Sequence, residues 1–138
     1  MVDPIKRSAL IRTIQSQPEF VEGRALVTIE EFFDGNDDLG SLACNLSEHP
    51  GLDHFRKILN ALAKRSDVEQ VWMQIYDLEE GEWPFCENVL IVGAVPHSEI
   101  RRLSEALQPA EVTELQFGWT PTRASTLRGC RYINLWWD

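Results

Sequence analysis

The chain has 138 residues, 43% of them apolar and 25% charged, the balance expected of one globular domain spanning 1–138 and large enough to build a core without disulfide staples. Its formal net charge of −9, from 22 carboxylates against 13 lysines and arginines, argues against nucleic acid, whose binding rests on Lys and Arg neutralising phosphates, and against anionic membrane surfaces. A basic protein or a cation is the partner that such a charge suits, although solubility alone also accounts for it.

The first twenty residues, "MVDPIKRSALIRTIQSQPEF", hold no long apolar run, so neither a signal peptide nor a membrane span is expected, and the expected location is the cytoplasm. Asp3 before Pro4 reads as an N-cap followed by proline at the first helical position. Ile5, Ala9, Ile11 and Ile14 give an imperfect helical stripe, and Pro18 stops it. This predicts a helix over about 4–16, an N-terminal helical extension within 1–20. "RALVTIEEFF" then changes period. Ala25, Val27 and Ile29 alternate with Leu26 and Thr28, which predicts a strand. An acidic segment and a turn-rich loop, "SLACNLSEHPG", follow.

Leu52, Phe55, Ile58, Leu59 and Leu62 recur at helical spacing, with Pro50 at the start and Lys64 and Arg65 at the end, where positive charge offsets the helix dipole. "DVEQVWMQIYD" alternates Val71, Met73 and Ile75 with Gln70, Trp72, Gln74 and Tyr76, the pattern of a half-exposed strand. "LEEGEWPFCE" turns the chain, and "NVLIVGAV", apolar on both faces, predicts a central covered strand. Ile100, Leu103, Ala106 and Leu107 mark another helix, ended by Pro109. "VTELQFGW" has the character of a short strand, "TPTRASTLRG" of a loop, and "RYINLWW" of a closing strand with Ile133, Leu135 and Trp137 on one face.

From residue 25 the order strand, helix, strand, strand, helix, strand predicts an α+β fold. Specifically, it predicts a ferredoxin-like split β-α-β (βαββαβ) antiparallel sheet with two packed helices and the extra N-terminal helix. On that reading "ALVTI" and "VLIVGAV" are central, and the strand carrying Glu69 and Gln70 is an edge. The N-terminal helix or a homodimer partner would cover the second sheet face.

Glu30, Glu31, Asp34, Asp37 and Asp38 crowd one short stretch. Asp34-Gly35 and Asn36-Asp37 favour chain reversal. A turn needs one or two such residues, and like charges at this density repel. The excess points to a cation-facing surface. With Glu80, Glu82 and Trp83 from the "EEGEWPF" turn it would form a partner-binding site for a basic protein, with Trp83 as an exposed anchor beside carboxylates.

A divalent cation is the alternative occupant, and a metal-dependent hydrolase the alternative function. Asp34, Asn36 and Asp38 match positions 1, 3 and 5 of an EF-hand loop, but Leu39 stands where that loop needs glycine and Asn45 where it needs glutamate. His49 or His54 could complete a ligand set with Asp34 and Asp38. No other cofactor is implied. Cys44, Cys86 and Cys130 are scattered, which suits reduced thiols rather than a zinc knuckle or redox pair. Ser41 and Cys44 lie near His49 in sequence. Carboxylates beside them would blunt a nucleophile, so a buried, inert Cys44 is expected. Glu79, Glu80 and Glu82 could furnish paired carboxylates for acid–base work, and a solvated hairpin loop explains them as well. No recognised catalytic motif stands out.

"EEFFDGNDDLGS", "HPGLDHF", "IYDLEEGEWPF" and the ending "WWD" resemble, over about 25–138, a group of small acidic bacterial proteins without an assigned activity. The resemblance implies a bacterial cytosolic source and a shared fold, and carries over no catalytic residue. Immunity proteins that neutralise a basic toxin are an analogy of size and charge.

Overall fold

The computed structural model describes residues 2–138. Its first helix, α1 (Pro4–Gln15), begins where the sequence places it. The Asp3 carboxylate accepts the Ile5 and Lys6 amides at 3.0 and 3.2 Å, and Pro4 needs no such partner. Leu10 and Ile14 are buried in the main core, so α1 is part of the packed body. A single-turn 3-10 segment, Pro18–Glu22, leads into β1 (Ala25–Thr28).

The chain does not continue as a strand beyond Thr28. It enters a short helix, α2 (Ile29–Phe33), closed by a capping box: the Thr28 hydroxyl accepts the Glu31 amide and the Glu31 carboxylate accepts the Thr28 amide. These reciprocal bonds satisfy donors that a helix start otherwise leaves open. The spacing Thr-x-x-Glu was visible in the sequence, but the alternation up to Ile29 masked it.

The remaining elements are α3 (Leu52–Ala63), β2 (Val68–Asp77), β3 (Phe85–Gly93), α4 (His97–Leu103), β4 (Glu111–Gln116) and β5 (Arg131–Trp136). Leu52, Phe55, Leu59 and Leu62 of α3 are buried, each side chain stabilising the fold by about 1.5–3 kcal/mol relative to exposure.

The fold is α+β: the described residues form four α-helices and a five-stranded sheet, every strand pair antiparallel, in the order β1-β2-β3-β5-β4. This is not the expected ferredoxin-like order. β1 is an edge rather than a central strand, and β2 lies between β1 and β3 rather than at an edge. Apolarity reports how well a strand is covered, and a cover need not be another strand. Here the Gln17 side chain, 1% exposed, supplies it: its amide nitrogen donates to the Leu26 carbonyl at 3.0 Å and its oxygen accepts the Leu26 amide at 2.9 Å. A side-chain amide thus stands in for the next strand, protecting an edge that would otherwise invite pairing. A split β-α-β unit does occur at the other end. β3 and β4 each run antiparallel to β5, so they are parallel to each other with β5 between them, joined through α4.

Alternation along the strands divides the core. Ala25, Val27, Val71, Met73, Ile75, Val89, Ile91, Ile133 and Leu135 face the helices, α1 included. Leu26, Trp72, Leu90, Val92 and Tyr132 face the other way, packed with Phe117, Trp119, Ala124 and Leu127. The second face is therefore covered by the chain between β4 and β5, not by the N-terminal helix. At the end of β3, Gly93 has φ +146°, and a Cβ there would lie 2.4 Å from the Asp67 carbonyl oxygen. Only glycine fits that close approach.

Candidate functional site

The five carboxylates of residues 30–38 do not form one patch. Asp34 closes α2 and pairs with Lys6 of α1 at 2.7 Å, both side chains about half exposed. Glu31 pairs with Arg123 at 2.6 Å. Burial alone would raise its pKa, but hydrogen bonds from Arg123 and Thr28 together outweigh that and hold the carboxyl below its ordinary range. Asp38 is taken up by backbone: its Oδ1 accepts the Gly40 amide at 3.0 Å and its Oδ2 the Trp83 amide at 3.2 Å. Glu30 and Asp37 are exposed, and Asp37 too is engaged. Glu31 and Asp34 are thus neutralised within the fold, whereas Asp38 accepts only uncharged backbone donors and keeps its charge unbalanced.

The metal-ligand set does not assemble. Asn36 forms a local turn instead, its Oδ1 accepting the Asp38 amide and its Nδ2 donating to Ser41 Oγ, both at 2.9 Å. Both ring nitrogens of His49 are occupied: Nε2 donates to the Leu42 carbonyl at 2.8 Å, and Nδ1 accepts the Gly51 amide at 2.9 Å. That leaves no lone pair for a metal. Among the described residues, no three of His, Cys, Asp or Glu, His54 included, are grouped so as to hold an ion.

Two clefts divide the acidic segment. One, of about 370 Å³, lies between α1 and α2, with Glu30, Glu31 and Asp34 facing Lys6 across an apolar floor of Ala9 and Leu10. The other, of about 320 Å³, lies where the acidic loop meets the β2–β3 turn. Asp38, Asp77, Glu79 and Glu82 line it together with Cys44 and Tyr76, and no lysine or arginine does.

The second cleft is built by a turn and a clamp. The Glu82 amide donates to the Glu79 carbonyl at 3.2 Å, with Gly81 at φ +80°, the positive φ that a type II turn requires at its third position. This brings the first and fourth side chains, Glu79 and Glu82, together. Arg7 of α1 fixes the turn from behind, donating to the Glu82 carbonyl at 2.6 Å and the Glu79 carbonyl at 3.0 Å. Its guanidinium is thus spent on backbone oxygens. The Glu82 carboxyl is held above its ordinary range by a hydrogen bond and charge repulsion from Glu79, with smaller effects from burial and Asp38.

Of the residues expected to bind a partner, the structure brings together Asp38, Glu82 and Trp83 in this cleft. It places Glu30, Glu31 and Asp34 in the other one, and Glu80 lies exposed at the second position of the turn. Trp83 is not an exposed anchor: it is 2% exposed and belongs to the main core, because the acidic loop folds over it and bonds its amide. Cys44, expected to be buried, is exposed. Sequence reading missed Asp77 and Arg7 as parts of this site. A glycine at the third position of "EEGE" was the available signal that Glu79 and Glu82 would converge. Nothing in the sequence announced Arg7, whose partners are backbone atoms more than seventy positions away.

No helix among the described residues is long and apolar enough to cross a membrane. No solved structure is a significant match to the chain. The chain is 28% identical to "Uncharacterized protein YfbO" of Escherichia coli (strain K12) over 125 residues, covering 83% of this chain and 84% of that one. The model of the Uncharacterized protein YfbO family matches residues 5–132, so α1, which the motif resemblance left out, lies within the family's span. By that match the chain belongs to the YfbO family.

Proposed function

We propose that the cleft between the acidic loop and the Glu79–Glu82 turn binds a lysine- or arginine-bearing segment of a partner protein, and that the chain acts as an interaction module rather than an enzyme. The observation that carries this reading is the composition of the cleft wall: four carboxylates, Asp38, Asp77, Glu79 and Glu82, with no lining cation. Two of them are forced together by a turn that α1 clamps. A cation entering the cleft relieves the repulsion that the turn imposes, and exposed carboxylates at the rim speed encounter with basic partners.

Calorimetry with a Lys/Arg-rich peptide and a Glu-rich control, at low and high salt, tests it. Binding of the basic peptide alone is expected, weakening as salt rises, with affinity falling severalfold in the Glu79→Gln/Glu82→Gln variant. That variant leaves the Arg7 bonds to the Glu79 and Glu82 carbonyls available, and an unchanged circular dichroism spectrum and a melt no lower than the parent's are expected of it. Equal affinity in the variant and the parent would reject this cleft as the binding site.

A further inference from the structure

The chain between β4 and β5 does not turn back directly. Its base is closed by two backbone hydrogen bonds, Phe117 amide to Cys130 carbonyl and Gly129 amide to Phe117 carbonyl, both 2.9 Å. Residues 118–128 leave from this base and return to it, an Ω-loop whose only regular piece is a single 3-10 turn, Ser125–Leu127. Trp119, Ala124 and Leu127 on its underside pack on the second sheet face over Leu26, Trp72 and Tyr132.

Three features distinguish this loop from a permanently packed cover. First, its far side is fastened by rim contacts. The Thr122 amide and hydroxyl each donate to the Glu19 carboxylate at 2.6 Å. Arg123 pairs with Glu31 and donates to the Leu26 carbonyl at 3.2 Å. Second, arginine–indole stacking bridges the seam from both sides: Arg24 lies 5.0 Å over the Trp119 ring and Arg123 lies 5.5 Å over the Trp72 ring. Third, the closed seam is imperfect. The indole N–H groups of Trp72 and Trp119 are both buried without an acceptor. A buried orphan donor is unfavourable, and water satisfies it once the seam opens.

We propose that residues 118–128 form a strap that opens as one unit about the Phe117–Cys130 base, with Glu19 and Glu31 as its catches. Opening relieves two orphan donors and breaks the two rim contacts, and it leaves the sheet and the helix-facing core intact. The strap is thus a local opening unit, distinct from global unfolding.

Hydrogen exchange followed by NMR tests this on the intact chain. The Trp72 and Trp119 indole N–H groups and the hydrogen-bonded strap amides of Thr122, Ala124 and Leu127 are expected to exchange together, faster than the amides of Val89 and Ile91 in β3. Arg123→Ala and Thr122→Val each remove a fastening of one catch without substituting any residue of α2, whose Thr28–Glu31 capping box stays in place. Each is expected to speed strap exchange about tenfold, the scale of one charge-assisted hydrogen bond, and to leave the β3 amides unchanged. Exchange of the indoles only at the β3 rate would overturn the proposal. So would unchanged strap exchange in both variants, and so would β3 amides accelerated in step with the strap.

Discussion

The Cys86 thiol is wholly buried, and burial pushes its pKa strongly upward, whereas Cys44 and Cys130 are exposed. Since the thiolate is the reactive form, a thiol reagent should titrate two of the three cysteines in the native protein and the third only after denaturation; three fast equivalents would contradict the placement of Cys86. Trp83 poses a similar question of what one side chain contributes. Its ring fills the core, but its indole N–H has no acceptor. Trp83→Ala should cost about 3–5 kcal/mol through the cavity it leaves. Trp83→Phe keeps most of the packing and deletes the orphan donor, and should cost less than about 2 kcal/mol in urea denaturation.

At the scale of elements, α2 shows how a single local device redirects a chain. Thr28→Ala removes the hydroxyl half of the capping box and should lower stability by about 1 kcal/mol, measured as a shift in the urea midpoint without a change in slope. The sequence made most elements legible because each carries its own periodicity: α1, α3, β2 and β3 follow directly from stripes or alternation. Their neighbours were not legible. β1 is as apolar as a central strand because α1 and Gln17 cover it, and pattern alone does not distinguish a strand beside it from a helix and an amide. The second face was equally hidden, since "TPTRASTLRG" has the composition of a solvated loop while its Ala124 and Leu127, with the preceding Trp119, form a cover. The acidic site was half legible. Charge density marked the right stretch of chain, but the fold then spent Glu31 and Asp34 on Arg123 and Lys6 and moved the unbalanced charge to Asp38, Asp77, Glu79 and Glu82.

For the molecule as a whole, acid stability follows from which carboxylates are paired. Glu31, Asp67 and Glu99 are held below their ordinary ranges, the latter two by hydrogen bonds from Arg65 and Arg102 respectively. A depressed folded-state pKa contributes stability that is complete above the unfolded value and is lost as pH falls through the folded one. Glu82 has the opposite sign: its raised pKa favours the fold at low pH, and that contribution is lost as pH rises through the folded value. Thermal melts between about pH 5 and pH 3 should therefore show the parent losing stability more steeply than Glu31→Gln, which keeps an acceptor for the Thr28 amide but no titrating charge. Parallel slopes would show that the Arg123 pair does not contribute to the acid transition.

The amide of Gln17 has a consequence for how copies of this molecule can meet. Filament growth by strand addition needs two adhesive ends, one to receive and one to offer. In this sheet the β1 end is plugged by a residue of its own chain, and the other end among the described residues is β4, where His97 already holds the Val112 carbonyl at 2.7 Å. A copy approaching there meets a carbonyl that is already taken, so both margins of the sheet are blunted by side chains of the chain itself.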